Sequence, residues 1–321
     1  MTIYSNVQLS PGLMEMLLRR LGPHRLVQSV VPTASNLQVG QPDPAAREAD
    51  VAWGQPAVDD ILRNPRLRFI QLTTAGYDRY DRADLREAIH ARGGALCNAS
   101  SVYTEPCAEH VLCQMMAGAR RLPDALRNQF ADRRWPQVEI RSTSRLLVGQ
   151  TVLIAGLGAI GQTLVELLTP FHMKIIATRR KPRGDEPVAT YSQENLDALL
   201  PQADHVVNLL PGGAATKELF NATRFARMKR GAVFYNIGRG STVDQPALIE
   251  AMHAGQLGGA YLDVTTPEPL PADHELWTTP NVFITPHSAG GFDQEFEAHI
   301  ELLVRNLERF GKGEKLVDRV V

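Results

Sequence analysis

The chain has 321 residues, of which 44% are hydrophobic and 21% are charged, a composition typical of a folded globular protein and not of a disordered or fibrous one. This length predicts two domains, with one very large domain as the alternative. Lys and Arg number 34 against 35 Asp and Glu, so the net charge of -1 gives no broad positive field for a phosphate backbone, and we expect no nucleic-acid partner.

The N-terminal segment MTIYSNVQLSPG contains neither a basic leader nor an apolar stretch. No uncharged run in the sequence approaches the roughly 18 apolar residues that a membrane span requires. We therefore expect a cytoplasmic protein without a membrane partner.

The three cysteines of the chain are Cys97, Cys107 and Cys113. They lack the CxxC spacing of metal sites, and their odd number cannot pair completely into disulfides. We predict buried free thiols and no metal site.

The first hundred residues alternate short apolar segments with a helical pattern near 11–21, which indicates a small α/β domain. Its predicted strands are IYSNV, RLVQSVV, ADVAWG, RLRFIQL and ALCN. From Thr151 onward the alternation is clearer and predicts a parallel sheet covered by helices such as 159–169 and 245–254. The six predicted strands of this sheet are TVLIA (151–155), MKIIAT (173–178), HVVNLL (205–210), AVFYNI (232–237), GAYLDV (259–264) and NVFIT (281–285).

Two long amphipathic segments frame the larger domain. Their apolar positions are 108, 111, 112, 115, 116 and 119 in one and 292, 296, 300, 303, 304, 307 and 310 in the other. We predict helices that carry the chain between the domains and return its last thirty residues to the first domain. The first domain would then consist of residues 1–98 and 289–321, with residues 99–288 inserted as the second.

The segment TVLIAGLGAIGQTLVELL places Gly156, Gly158 and Gly161 in GxGxxG spacing between a predicted strand and a predicted helix. The first glycine allows a tight turn, the second a close approach to a pyrophosphate, and the third close packing of helix and strand. Backbone N–H groups at the helix N-terminus, where Ala159 and Ile160 lie, would bind the phosphates. Because strand, turn and helix follow in order, the segment predicts dinucleotide binding, with a ligand-free turn as the alternative.

The end of the next strand indicates which dinucleotide is preferred. An NAD-specific site usually carries Asp or Glu there to bond the ribose hydroxyls, whereas this chain has Thr178, Arg179, Arg180 and Lys181. Guanidinium groups can hold the 2′-phosphate that a carboxylate would repel. The sequence therefore favours NADP(H) through Arg179 and Arg180, although NAD(H) stays possible, and a solvated basic turn is the alternative.

Three polar residues each follow an apolar strand in the C-terminal half: Arg239 in NIGRGSTVD, Glu268 in LDVTTPEPLP and His287 in ITPHSAGG. Ligands of such sheets bind beyond the carboxyl ends of the strands, so the three could converge on one cleft. Taken singly, each is better explained as a surface charge or a loop residue. Together they provide a cation for a carboxylate and a carbonyl, an acid that protonates the carbonyl oxygen, and a carboxylate that favours the charged imidazole.

The ordered motifs TTAGYD (73–78), GLGAIG, NIGRGSTVD, GGAYLDV, PEPLP and TPHSAG resemble those of the D-isomer-specific 2-hydroxyacid dehydrogenases over nearly the whole chain. The resemblance implies an α/β fold of two doubly wound parallel-sheet domains. In this fold a dinucleotide-binding Rossmann domain is inserted into a smaller, flavodoxin-like substrate domain. The resemblance also implies a homodimer formed through the Rossmann domain.

The same resemblance implies roles for individual residues. Arg239 would bind the substrate, Glu268 would be the partner acid, and His287 the proton donor and acceptor. Backbone N–H groups of Ala75 and Gly76 would hold the substrate carboxylate. Further cofactor contacts would come from Asp263 at the nicotinamide carboxamide, from Ile237 and Gly238 beside the nicotinamide, and from Pro211 and Thr216 on the adenosine side. Glu109 and His110 match the family helix that leads into the Rossmann domain.

Within the family, Glu268 disfavours formate, because formate-specific members carry glutamine at this place. Many phosphoglycerate dehydrogenases have a further regulatory domain, whereas this chain ends at Val321. The arginine pair is similar to that of NADPH-using reductases of glyoxylate and hydroxypyruvate, which we take as the predicted activity. A phosphoglycerate-type dehydrogenase and a non-catalytic, NAD(P)-sensing scaffold of the corepressor kind are the alternatives.

Overall fold

A computed structural model describes residues 1–33, 35, 37, 38, 40–131 and 133–321 of the chain. The chain divides into two compact units. Unit 1 consists of Met1–Tyr103 and Phe292–Val321, and unit 2 of Thr104–Gly291. Each boundary lies a few residues after the one that the sequence predicts.

The strands of the described chain are β1 (Thr2–Val7), β2 (Arg25–Thr33), β3 (Val51–Gly54), β4 (Phe69–Leu72), β5 (Ala95–Cys97), β6 (Thr151–Ala155), β7 (Lys174–Arg179), β8 (Ala189–Ser192), β9 (His205–Asn208), β10 (Ala232–Asn236), β11 (Leu257–Leu262) and β12 (Val282–Ile284). The α-helices are α1 (Pro11–Leu21), α2 (Val58–Arg63), α3 (Ala83–Ala91), α4 (Ser100–Ala119), α5 (Leu122–Phe130), α6 (Gln137–Thr143), α7 (Ala159–Leu168), α8 (Leu196–Leu199), α9 (Ala222–Arg227), α10 (Gln245–His253) and α11 (Glu295–Lys312).

Unit 1 is built on a parallel sheet in the order β2-β1-β3-β4-β5, which is the flavodoxin-like order. Strands β3 and β4 are buried along their whole length, as expected for central strands with helices on both faces. One face of the sheet contributes Ile3 and Phe69 to a core that also contains Ile300 and Leu303 of α11. The last helix belongs to unit 1 because its apolar side packs against this sheet.

Unit 2 contains a parallel sheet in the order β12-β11-β10-β9-β6-β7-β8. Its core packs buried strand residues such as Val206 and Phe234 against helix residues such as Leu248. All six predicted strands are present, and the fold class is confirmed. The sequence pattern did not predict β8, because its four residues ATYS lie at the sheet edge, are only partly buried and contain no apolar run.

The cysteine prediction was wrong at one position. Cys97 and Cys107 are buried, but Cys113 is exposed, and all three are free thiols. Cys113 lies on α4 between the buried residues Val111 and Met115, and the rotation of about 100° per residue turns its side chain to another side of the helix. Within the described residues, we find no helix both long and apolar enough to cross a membrane.

Candidate active site

The GxGxxG turn joins β6 to α7, and its three glycines meet different demands. Gly156 has a φ of +104°, a backbone conformation that residues other than glycine adopt only with strain. A Cβ atom on Gly161 would lie 2.9 Å from the Gly156 carbonyl oxygen, so this glycine lets helix and turn pack closely. A Cβ on Gly158 would meet nothing within 4 Å, which leaves open space beside the turn.

The start of α7 is suited to an anion. Gly158 is the N-cap residue, and no side chain caps the helix there. The first N–H groups of an α-helix have no partner within the helix and carry a partial positive charge. The N–H groups of Ala159, Ile160 and Gly161 therefore have no partner within the helix, and these residues fit a pyrophosphate group.

At the predicted adenosine side, β7 ends at Arg179, and Arg180 is exposed. Arg179 is not free in solvent, because its Nη1 lies 3.2 Å from Oε1 of Glu186. No sequence motif indicates Glu186, since the segment RGDE resembles an ordinary solvated turn. Within the loop after β9, the Thr216 hydroxyl donates to the Pro211 carbonyl at 2.7 Å, which fixes the shape of the predicted adenosine-side loop.

Arg239 follows β10 at the carboxyl end of the strand. Its Nη1 donates to the Gly238 carbonyl at 2.7 Å. Its own carbonyl accepts hydrogen bonds from Asn236 Nδ2 at 3.2 Å and from the Thr242 hydroxyl at 2.6 Å. Gly238 itself must be small, because a Cβ there would lie 2.5 Å from the Leu210 carbonyl oxygen. The backbone at Ile237 to Arg239 is therefore fixed against the end of β9, and the guanidinium is only partly exposed.

The structure brings Glu268 and His287 into direct contact. Nδ1 of His287 lies 2.8 Å from Oε2 of Glu268. Burial raises the pKa of Glu268, but hydrogen bonds from His287 and from the Thr265 N–H, with the charges of His287 and Arg239, outweigh burial and lower it. The carboxylate is thus ionised at neutral pH and can only accept, so the proton of the contact is on Nδ1. Nε2 of His287 makes no hydrogen bond to another described residue and is available for proton transfer.

Asp263 fixes the loop that carries His287. Its Oδ1 accepts hydrogen bonds from the Thr285 hydroxyl at 2.6 Å and from the Ser288 and Ala289 N–H groups at 2.9 and 3.1 Å. The Asp263 carbonyl accepts from the His287 N–H at 2.8 Å. These bonds hold His287 at φ 51°, in the left-handed region that histidine rarely adopts. Nothing in the sequence pattern indicated this positioning of the loop.

His110 of α4 lies beside the same loop. Its Nε2 is 3.2 Å from the Thr285 hydroxyl oxygen and 4.0 Å from Oδ1 of Asp263. Burial lowers the pKa of His110, although the Asp263 charge opposes this effect. His110 is therefore neutral near neutral pH. The neighbouring Glu109 is exposed on the helix.

In unit 1, hydrogen bonds hold the carbonyl groups of the TTAGYD loop. Asn98 Nδ2 donates to the Ala75 carbonyl at 2.6 Å, and the Thr74 hydroxyl donates to the Gly76 carbonyl at 2.7 Å. The Tyr103 hydroxyl donates to the Thr73 carbonyl at 2.8 Å. The N–H groups of Ala75 and Gly76 bond to no other described residue, so they can bind an anion. Asn98 and Tyr103 could not be predicted from the sequence to hold this loop, because their contacts depend on the fold.

The glycine turn and the His287–Glu268 pair at the carboxyl ends of parallel strands define a nicotinamide-dinucleotide-dependent oxidoreductase. Residues 112–289 match the sequence profile of the D-isomer specific 2-hydroxyacid dehydrogenase, NAD binding domain. The chain belongs to this family of NAD(P)-dependent oxidoreductases, as the sequence motifs predicted.

Relatives of known name extend the comparison. The chain is 33% identical over 279 residues to glyoxylate/hydroxypyruvate reductase B of Escherichia fergusonii, an alignment that covers 85% of this chain and 84% of the relative. An NADPH-dependent glyoxylate/hydroxypyruvate reductase from Sinorhizobium meliloti, solved with NADP and sulfate, superposes with a TM-score of 0.80 at 27% identity, covering 99% of this chain and 98% of the other. A D-isomer specific 2-hydroxyacid dehydrogenase from Xanthobacter autotrophicus, solved with NADPH and MES, superposes with a TM-score of 0.82 at 27% identity, covering 100% of this chain and 97% of the other.

Proposed function

We propose that the protein reduces small 2-oxo acids such as glyoxylate or hydroxypyruvate to 2-hydroxy acids, giving the D-isomer where the product is chiral, with NADPH preferred over NADH. The observation that carries the proposal is the 2.8 Å contact between His287 and Glu268, which leaves Nε2 of the histidine free for proton transfer. The positive charge of Arg239 acts on the same carboxylate. Relatives named as glyoxylate/hydroxypyruvate reductases, and a similar structure solved with NADP, support the substrate class and the cofactor.

In this mechanism each side chain has a separate task. Bound NADPH supplies the hydride. Arg239 binds the carboxylate of the substrate and polarises its carbonyl group. Nε2 of His287 donates a proton to the carbonyl oxygen as negative charge develops on it. Glu268 orients the imidazole through Nδ1 and favours its protonated form.

We assign cofactor binding to unit 2, and the N–H groups of Ala75 and Gly76 in unit 1 would contribute to binding of the substrate carboxylate. Arg179 and Arg180 would bind the 2′-phosphate. The pyrophosphate would lie against Gly156, Gly158, Ala159, Ile160 and Gly161. The remaining cofactor contacts would come from Pro211, Thr216, Ile237, Gly238 and Asp263.

The proposal is tested by steady-state kinetics with glyoxylate, hydroxypyruvate, pyruvate and 3-phosphohydroxypyruvate, each with NADPH and with NADH. We expect the highest kcat/KM with glyoxylate or hydroxypyruvate. NADPH should be favoured by about tenfold or more, because a hydrogen bond to a charged group is worth about 1.5–3 kcal/mol. A preference for the phosphorylated acid would point to a phosphoglycerate-type enzyme, and NADPH binding without any turnover would point to a sensor.

Replacing Glu268 with glutamine should shift the pH profile of the reaction. Because the pKa of Glu268 is lowered, its carboxylate stays ionised through mildly acidic and neutral pH and favours protonated His287. Reduction needs the protonated ring. In Glu268→Gln the alkaline limb of kcat/KM for reduction should therefore move to lower pH. The acid limb for oxidation, which needs the neutral ring, should move in the same direction.

The control for this shift is Glu194→Gln, which makes the same change at an exposed position of unit 2. Its pH profiles should match those of the wild type. Profiles of Glu268→Gln that overlay the wild type in both directions would remove Glu268 from the mechanism.

We also propose that the protein is a homodimer formed through unit 2. Helices α5 and α6 contain no buried residue. Phe130, Trp135 and Val138 in this region are 79%, 90% and 80% exposed, and exposed large apolar side chains of this kind are suited to a protein–protein contact. Sedimentation velocity should give the mass of two chains. A single-chain mass at micromolar concentration would contradict the proposal.

A further inference from the structure

The turn that follows β7 is closed by one carboxylate. Oε1 of Glu186 accepts the Arg183 N–H at 2.6 Å and lies 3.2 Å from Arg179 Nη1. Its Oε2 accepts the Gly184 N–H at 2.9 Å. The Glu186 side chain is only 6% exposed, although residues 180–185 around it are all exposed. The side chain of Glu186 is thus little exposed and hydrogen-bonded, next to residues 180–185, which face solvent.

The carboxylate of Glu186 is ionised when it makes these contacts. The Arg183 N–H bond lowers its pKa against the opposing effect of burial, and the Gly184 N–H and Arg179 lower it further. An ionised carboxylate accepts hydrogen bonds and donates none. Both of its oxygens are engaged with donors of its own turn.

Arg179 is held at one nitrogen and open at the others. Nη1 faces Glu186, whereas Nε and Nη2 have no hydrogen-bond partner among the described residues, and the side chain is 19% exposed. A long side chain that is already fixed loses less rotamer freedom when a ligand binds. The planar guanidinium of Arg179 is therefore oriented in advance, with donors left for a phosphate group.

Residues 179–186 keep a net positive charge while Glu186 is ionised. Residues 179–186 contain four basic and two acidic side chains. The Glu186 charge lies against Arg179 and the turn N–H groups, which compensate it locally. The exposed Arg180, Lys181 and Arg183 add the remaining positive charge, so the turn still attracts a dianionic phosphate.

We propose that Glu186 is a positioning residue for cofactor selection. It holds the Arg179 guanidinium in the orientation that binds the 2′-phosphate of NADPH. This inference rests on the NADPH preference proposed above. In the opposite interpretation, Glu186 bonds the ribose hydroxyls of NADH and repels the 2′-phosphate, as an acid near this place does in NAD-specific sites.

The test measures Kd for NADPH and NADH by titration calorimetry in four proteins: wild type, Glu186→Gln, Arg179→Ala and the double variant. We expect Glu186→Gln to weaken NADPH binding by about tenfold, the effect of losing one hydrogen bond to a charged group, and to leave the Kd for NADH within about twofold. In the Arg179→Ala background, Glu186→Gln should change the NADPH Kd by less than about twofold, because Glu186 acts through Arg179. Unchanged NADH binding also shows that the variants are folded.

The control is Asp185→Asn, which removes the same charge from the adjacent, exposed position. It should leave both Kd values at the wild-type level. Tighter NADPH binding in Glu186→Gln would overturn the inference. It would indicate instead that the Glu186 carboxylate repels the 2′-phosphate. If Glu186→Gln weakened NADPH binding equally in the wild type and in Arg179→Ala, the inference would also be overturned. Glu186 would then support the loop in general and would not act through Arg179.

The same Kd values distinguish the positioning role of Glu186 from the NADPH preference of the protein. If the wild type binds NADPH and NADH equally, both are overturned. If the wild type prefers NADPH, Arg179→Ala loses the preference and Glu186→Gln keeps it, then only the positioning role is overturned.

Discussion

We expect His287→Ala to lower kcat by about 10²- to 10⁴-fold in both reduction and oxidation, the range that a positioned general acid or base contributes. The same variant should bind NADPH with a Kd within about twofold of the wild type, because the glycine turn at Gly156 to Gly161 makes no use of the imidazole. We expect kcat and NADPH binding to respond separately because Nδ1 of His287 contacts Glu268 and its Nε2 is free for the substrate.

Steady-state rates in both directions and calorimetric titration with NADPH measure the two effects separately. His253→Ala is a matched control, because His253 is exposed on the same unit and pairs with the exposed Glu275 at 3.4 Å. Such a surface pair contributes little, so this control should retain wild-type rates. Full activity of His287→Ala would overturn the assignment of the proton donor.

The second large effect is expected for Arg239→Lys, which keeps the charge and changes its shape. We expect kcat/KM for 2-oxo acids to fall by about 10²-fold, since the loss of a paired, charge-assisted contact costs about 1.5–3 kcal/mol. In the structure, the bond from Nη1 to the Gly238 carbonyl fixes the guanidinium plane, and lysine has no plane to fix. Folding should be intact, because Arg239 lies at a partly exposed strand end.

Arg230→Lys is the control, since Arg230 is exposed in the same unit. Kinetics measured with the preferred acid and NADPH should distinguish the two variants. Wild-type kcat/KM in Arg239→Lys would return Arg239 to the role of a surface charge.

Much of the fold could be predicted because its signals are local. Strands β6, β9 and β10 are short apolar runs, and the glycine turn follows directly after β6. The edge strand β8 escaped prediction, because pairing on one side only places little demand on its side chains. Cys113 was misassigned because its apolar neighbours in sequence lie on another side of α4.

The site shows the same division between local and long-range information. The sequence predicted that Arg239, Glu268 and His287, each after a strand, converge on one cleft, and the structure places Glu268 in contact with His287. Sequence could not reveal that Asp263 anchors residues 285–289, or that Glu186 closes the turn beside Arg179. Those contacts form only when the loops fold, and the hydrophobic periodicity of the sequence does not indicate them.

The packing of α11 against the sheet of unit 1 has a consequence for biosynthesis. Ile300 and Leu303 cover a face of this sheet that Ile3 and Phe69 form at the other end of the chain. Unit 2 is continuous in sequence and can complete its core as soon as it has left the ribosome, whereas unit 1 must wait for the last helix. A chain truncated before Glu295 should therefore be cleaved by protease in residues 1–100 and resist cleavage in unit 2. Unit 2 would then finish folding before unit 1, although residues 1–103 of unit 1 are synthesised before it.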